Sequence, residues 1–449
     1  MSPGSGLVTA SPPGGLGPPL IGQTVPFVRE PYAFTLARTR RYGPIWKARL
    51  LGETVTFFAG PEAFSALTDP ENFTRDGAVP PPFLELLHPD NLLFIDGETH
   101  DCRKRWLLGA LTDERIDAYL PGLFVAIRRF TDGWADGQTR ALAGDLRQLA
   151  FDLADHLFAA SDPRFSDRQL AAELTRFQAG TTSLPMNLPF TRYRRALRAR
   201  DRLRTHIATR IAAVDDAGCN VAHALAASRP AAESHPDRAL RTDLFGLYFA
   251  THSGLTAAFS WLLVALGQQP RLIDDIREEA EGILGDGPPT VADIASLSRA
   301  RAICREVLRA YPVAPPFTMF SQAARDLEYG GYHIPAGSKV LGAIWATLQD
   351  PSAFPDPETF DGERLTDAFF GALPNGAYVP TSTGSMVRSH RCAGEGLVHQ
   401  LLTGFAAWFT RHYDWDLPAQ DTSPGRGLSP LPRSGVIGSS SRRRSSRGG

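Results

Sequence analysis

The residue with the richest chemistry on offer is Cys392. It closes a loop of Ser, Thr and Gly and precedes Ala-Gly and an amphipathic run, in the segment 378–405, YVPTSTGSMVRSHRCAGEGLVHQLLTGF. A cysteine at a helix N-terminus sits among free backbone N–H groups and at the positive end of the helix dipole. Both favour the thiolate, the form that binds a metal or attacks an electrophile. Gly394, two residues on, would let a large flat group approach the backbone. Basic His390 and Arg391 just before the thiol could meet carboxylates. Three chemistries stay open on these residues alone: an inert buried thiol, a nucleophile in need of a histidine base, and a thiolate ligand to haem iron.

Glu306 and Arg309 form an ExxR pair on a predicted helix upstream. Alone, such an i,i+3 pair is usually solvated and of small value. Here it is followed by YPVAPP (311–316), by the strand pair EYGGYHIPAGSKV (328–340), and by ATLQDPSAFPDPETFDGERL (346–365). That order, ending in HRCAGE, resembles the cytochrome P450 family over roughly residues 24–437. The resemblance implies a mainly α fold with a small β region, with haem b between a long central helix and the cysteine loop. Cys392 would be the proximal iron ligand. Glu306 and Arg309 would lock with Arg364 behind the proximal face. His100 and Lys104, in DGETHDCRKRW (96–106), would meet the haem propionates, as would His390. Many members carry a propionate arginine where Ser321 stands, and Arg388 is the candidate to replace it.

The cysteine loop is not the commonest one in that family. Ser385 and Met386 occupy the places where most members have Phe-Gly. In length and in its HRC-x-GE ending, the loop is similar to that of the bacterial fatty-acid hydroxylase peroxygenases. FTRDGAVP (73–80), IDGETHDCRKR (95–105) and SPLPRSGVI (429–437) resemble the same branch.

The distal side departs from both patterns. Aligned on ATHSG (250–254), Ser253 takes the place of the family's proton-delivering acid and Gly254 that of its alcohol. The peroxygenases' Arg-Pro pair is also missing, since no arginine lies between Arg241 and Arg271. His252, with an intrinsic pKa of about 6.5, is a candidate acid–base. Ser253 and Gly254 would shape the space over the iron. Phe83, Thr251, Val313, Phe317 and Val436 are the expected substrate contacts, and their apolar character suits a lipid-like or aromatic molecule.

The expected enzyme is an oxidoreductase that hydroxylates an apolar small molecule, driven by hydrogen peroxide or by unusual O2 activation. The alternatives are a ferredoxin-dependent monooxygenase of natural-product biosynthesis and a non-oxidative haem-thiolate isomerase, dehydratase or sensor. A ferredoxin would dock on a basic proximal face, for which Arg388, Arg391 and His399 are candidates.

The elements that must position these residues are mostly helical. Apolar residues recur at three and four over 105–111, 116–134, 142–159, 192–212, 273–284 and 291–311. Strand-like runs occupy 44–50, 54–59, 332–334 and 339–343. Residues 244–267 carry no formal charge and are long enough to span a bilayer. His252, Ser253, Gly254 and Thr256 interrupt them, so a core helix and no membrane span is expected. The 449-residue chain reads as a loose arm (1–23), one domain (24–437) and a disordered Gly/Ser/Arg tail (438–449).

Composition narrows the rest. Net charge is −1, from 47 basic and 48 acidic residues, which gives no pull toward nucleic acid or anionic lipid. Only Lys47, Lys104 and Lys339 are lysines, a skew that suits a GC-rich bacterial genome. Cys102, Cys219, Cys304 and Cys392 form no CxxC pair, so neither a zinc site nor a disulfide scaffold is expected. The N-terminus has no secretory pattern. The expectation is a cytoplasmic monomer.

Overall fold

A computed structural model describes residues 10–213, 219–311, 313–314, 319–425 and 429–443. The expected contact Phe317 lies outside them. The fold is mainly α with a small β region, and it is organised around one helix, Pro236–Gln268. That helix starts eight residues before the uncharged run. Pro236 at its first position needs no N–H partner, and Asp237 faces the positive end of the dipole. At 33 residues it is about 50 Å long. Helices Ala143–Ala159, Arg192–Ala212, Ser298–Ala310 and Glu395–His412 pack around it. Its most apolar stretch is 78% buried inside the protein, which accounts for its hydropathy.

The periodic run 291–311 is two helices, Val291–Ser296 and Ser298–Ala310. The break has a local cause. The Glu279 carboxylate accepts the N–H groups of Arg299 and Ala300, satisfying the start of the second helix from outside. Thr290 and Asp293 close a capping box on the first.

Five strands form the main sheet in the order Ile45–Leu50, Glu53–Phe58, Lys339–Gly342, Phe320–Ala323, Phe73–Thr74. Only the Glu53–Phe58 and Lys339–Gly342 pair is parallel. Trp46 and Phe57 stack at 4.0 Å beneath the first two strands. Leu327–Tyr329 and Tyr332–Ile334 make the expected two-stranded hairpin.

Two terminal expectations change. Residues 10–22 are not a free arm: the Lys47 N–H donates to the Pro13 carbonyl, and Ala10 bridges to Tyr332. Ile437–Arg442 is a strand between Arg140–Ala141 and Tyr413–Asp416, where a disordered tail was expected from its polar composition. One sheet partner, Arg140–Ala141, comes from far along the chain, and composition could not announce either pairing. Residues 1–9 and 444–449 lie outside the described residues.

Candidate active site

The cysteine loop is fixed by its own polar side chains. The Cys392 N–H donates to the Thr381 carbonyl at 2.9 Å. Arg391 grips Glu395 with two bonds of 2.8 and 2.7 Å, and Thr381 donates to the same carboxylate at 2.9 Å. Gly384, at φ +90°, lies so close to Thr68 that a Cβ would clash, so the loop needs glycine there. The helix Glu395–His412 begins three residues after the thiol. The helix start was expected to favour the thiolate, but burial outweighs it and pushes the Cys392 pKa up. The Gly394 backbone bond and Lys104 pull the other way. Cys392 is nonetheless exposed. A thiol that is both desolvated and accessible faces a cavity enclosed by protein. The thiolate there needs a cation to hold it.

Beside the thiol lies a group of polar side chains drawn from three segments, 74–75, 96–104 and the cysteine loop. Lys104 is buried and donates to the Arg391 carbonyl, and burial lowers its pKa to about 8. The His100 and His390 rings lie 4.6 Å apart. His390 Nε2 donates to Asp96 at 3.0 Å. Burial, then the charge of Arg75, lowers the His390 pKa to about 3, so the ring is neutral rather than basic. Burial would raise Asp96, but hydrogen bonds from His390 and Thr74 win and hold it below the usual carboxylate range. Arg75 is buried, and its pKa is lowered to about 10 by that burial. His100 Nε2 is buried and has no hydrogen-bond partner among the described residues. Two cations beside one carboxylate make a set suited to further carboxylates, while His100 gives its ring proton to Asp101 through Nδ1 and leaves Nε2 as an acceptor.

Arg75 and Asp96 were not singled out from the sequence. The register of Phe73–Thr74 against Phe320–Ala323 pairs Thr74 with Gln322, so Arg75 leaves the strand beside the neighbour that holds Ser321. The arginine absent at 321 is thus present on the neighbouring strand's end. Arg388, expected to replace it, is exposed on the loop surface instead. Strand pairing across some 250 residues is the signal, and it is invisible to local pattern.

The central helix carries the opposite wall. Leu247, Ala250, Thr251 and Gly254 stay partly or fully exposed at the i, i+3, i+4, i+7 spacing of one face, and between 244 and 258 only Ser253, on another face, joins them. A Cβ added at Gly254 would meet nothing within 4 Å. This face therefore opens on space that protein does not fill. At about 100° per residue, His252 and Thr256 point roughly the opposite way. His252 is buried, its Nδ1 is 2.8 Å from the Gln178 amide, and burial lowers its pKa to about 3. It does not share the face of Thr251 and Gly254. Ser253 Oγ reaches Ser429 at 3.3 Å.

Of the expected substrate contacts, Thr251 is on the open face and Phe83 is half-buried against Phe94. Val313 is buried, and Val436 is wholly inaccessible, its carbonyl accepting the Leu142 N–H. Val436 thus packs under the Ala143–Ala159 helix and lines no open space. His399 is only half-exposed and packs near Tyr378.

Glu306, Arg309 and Arg364 meet. Arg309 donates to both Glu306 oxygens at 2.7 and 2.6 Å, and Arg364 Nε to one at 3.1 Å. Arg309 also donates to the carbonyls of Leu348 and Pro357, and Arg364 to that of Thr359. The triad ties the ExxR helix to the segment 355–364 that follows.

These features fit a flat, dianionic cofactor with a metal centre: an accessible thiol in an enclosed cavity, an open helix face lacking side-chain bulk, and carboxylate-seeking donors beside the thiol. Comparison with known proteins agrees. The family model described as Cytochrome P450 matches residues 189–430, more than half of the chain. Cytochrome P450 120 of Synechocystis sp. is 29% identical over 94% of this chain and 95% of its own length. The solved structure of retinoic acid bound cyanobacterial CYP120A1 superposes with a TM-score of 0.87, at 29% identity, over 97% of this chain and all of that one. Abscisic acid 8′-hydroxylase 2 of Oryza sativa subsp. indica is 26% identical over 95% of this chain and 85% of its own. Cytochrome P450EX alpha (CYP152N1) with myristic acid shares the fold, with a TM-score of 0.78 at 22% identity over 98% of this chain and all of that one. The chain is a member of the cytochrome P450 family, an oxidoreductase that holds haem through the Cys392 thiolate.

Proposed function

We propose that the protein hydroxylates an apolar small molecule bearing a carboxylic acid, and that hydrogen peroxide is its oxidant. The substrate class rests on two relatives whose names carry retinoic acid and abscisic acid. The oxidant rests on one observation: the open face of the central helix presents Ala250, Thr251 and Gly254 but no acid. Ser253, at the acid position, turns toward Ser429. Activation of O2 needs two electrons and two protons delivered from the protein side. Peroxide brings both with it, so that R–H and H2O2 yield R–OH and water.

Thiolate-held haem supplies the oxygen-inserting chemistry. The chain's own residues do the rest. Arg75 and Lys104 would hold the propionates, and the Arg391–Glu395 clamp keeps Cys392 in place. Gly254 leaves the helix face open for substrate, and Leu247 and Phe83 would offer apolar surface that orients it and excludes water.

A second reading has one observation in its favour: relatives named as hydroxylases match nearly the whole chain. In it, a ferredoxin-type donor supplies electrons and O2 the oxygen. Turnover of retinoic acid with 18O-labelled peroxide under unlabelled O2 separates the two. Label in the hydroxylated product supports the peroxide reading. Product that forms only with a ferredoxin system, and takes its oxygen from O2, overturns it.

A further inference from the structure

Behind the central helix is a second cavity, of about 720 Å³. It lies between that helix, the helix Arg168–Thr181, the start of Ala143–Ala159 and the C-terminal loop. His252 and Ser253 form its helix wall, Gln178 and Ser429 flank them, and Arg147 and Arg433 bring positive charge. Its lining shares no residue with the open face of Leu247, Ala250, Thr251 and Gly254. The space is therefore not the room above the iron.

The charge in this cavity is one-sided. No Asp or Glu is among its described lining residues. Arg147 is half-buried, and its guanidinium makes only a 3.5 Å bond to the Ala143 carbonyl, with no carboxylate within 4 Å among the described residues. Burial lowers its pKa. Arg433 has one acidic neighbour, Asp421, at 3.8 Å on the exposed side. A desolvated guanidinium without a counter-ion is costly unless an anion joins it. The neutral donors agree. With the Gln178 amide donating to His252 Nδ1, the ring proton sits on Nε2 and faces the Arg147 backbone, though too poorly aligned for a full hydrogen bond. Ser253 and Ser429 add hydroxyls that can turn to donate. The volume exceeds what a single water or chloride would fill.

We infer that this cavity binds a small oxyanion-bearing molecule, a carboxylate or a phosphate, between Arg147 and Arg433. It touches Ser253 and Gln178 and so couples the central helix to Arg168–Thr181 from the side away from the substrate. The site is one for an effector, separate from oxidation.

Isothermal titration of the haem-loaded, full-length protein tests this, with succinate in one arm and inorganic phosphate in the other. At least one anion binds saturably, and the arm that binds names the chemistry. Arg147→Gln and Arg433→Gln each weaken it by about tenfold or more, the loss of one charge-assisted bond. Ser253→Asp places a carboxylate in the same space and weakens it likewise. Melting temperatures near that of the wild type show that the variants fold, and Arg433, on an exposed loop, covers the case in which Arg147→Gln does not. Absence of saturable binding by the wild type in both arms overturns the inference. So does equal affinity in folded Arg147 and Arg433 variants.

Discussion

Glu306 and Arg309 meet fork to fork with neither side chain accessible to solvent. Arg364 shares the same carboxylate. Removing the charge at 306 leaves two guanidinium groups buried without their counter-ion, which is far worse than losing a surface pair. Glu306→Gln is expected to lower unfolding stability by about 3–5 kcal/mol, read from urea denaturation. A loss under about 1 kcal/mol would mean that the triad behaves like an exposed pair.

Arg75 directly follows the last paired residue of its strand, Thr74 opposite Gln322, and so lies beside the end of the strand that holds Ser321. Arg75→Gln should therefore speed haem transfer to apomyoglobin by about tenfold or more. Adding Ser321→Arg should recover much of that loss, while Arg388→Gln should change little. Haem transfer as slow in Arg75→Gln as in the wild type would remove Arg75 from the propionate site.

Gly254→Thr restores an alcohol to the open face. The added Cβ meets nothing within 4 Å, so the variant should fold with an unchanged melting temperature. Product formed per electron with O2 and a ferredoxin system should rise by roughly tenfold, a part of the ~10²–10⁴-fold that a well-placed proton donor contributes. Unchanged coupling would show that proton delivery does not run through this face.

Burial lowers the pKa of His252 and His390 to about 3 and of His399 to about 4. Unfolded, each titrates at about 6.5. Between those values the unfolded chain binds more protons than the folded one, so stability rises with pH. It is fully present above about pH 6.5 and is lost as the pH falls toward 4. Asp243, raised to about 7 by burial, runs in the opposite direction and offsets part of the slope. His252→Gln isolates one group: its stability curve should be shallower by up to about 1.4 kcal/mol per pH unit over pH 4–6. Parallel curves for variant and wild type would mean that His252 is charged in the fold.

The motifs carried by consecutive residues were legible without coordinates. Cys392 with its flanking HRCAGE and the ExxR pair carry the family resemblance, and the central helix and the hairpin 327–334 follow from local pattern. What was not legible depends on long-range pairing. Arg75 becomes a candidate propionate residue only because its strand lies beside Phe320–Ala323. Val436 is packed away by the Ile437–Arg442 strand, and a polar tail becomes that strand because Arg140–Ala141 and Tyr413–Asp416 wait for it. His252 illustrates a different gap. Its position in the helix was plain, but one residue is about 100° of rotation, enough to turn it from the iron side to the second cavity.

The most direct test is the absorption spectrum of the reduced, CO-bound protein, recorded for the wild type and for Cys392→Ser. The account predicts the red-shifted Soret band of a thiolate ligand in the wild type and its loss in the variant, with His100, Lys104 and Arg75 intact. A wild-type spectrum of histidine-type ligation, or a thiolate band that survives in Cys392→Ser, would contradict it.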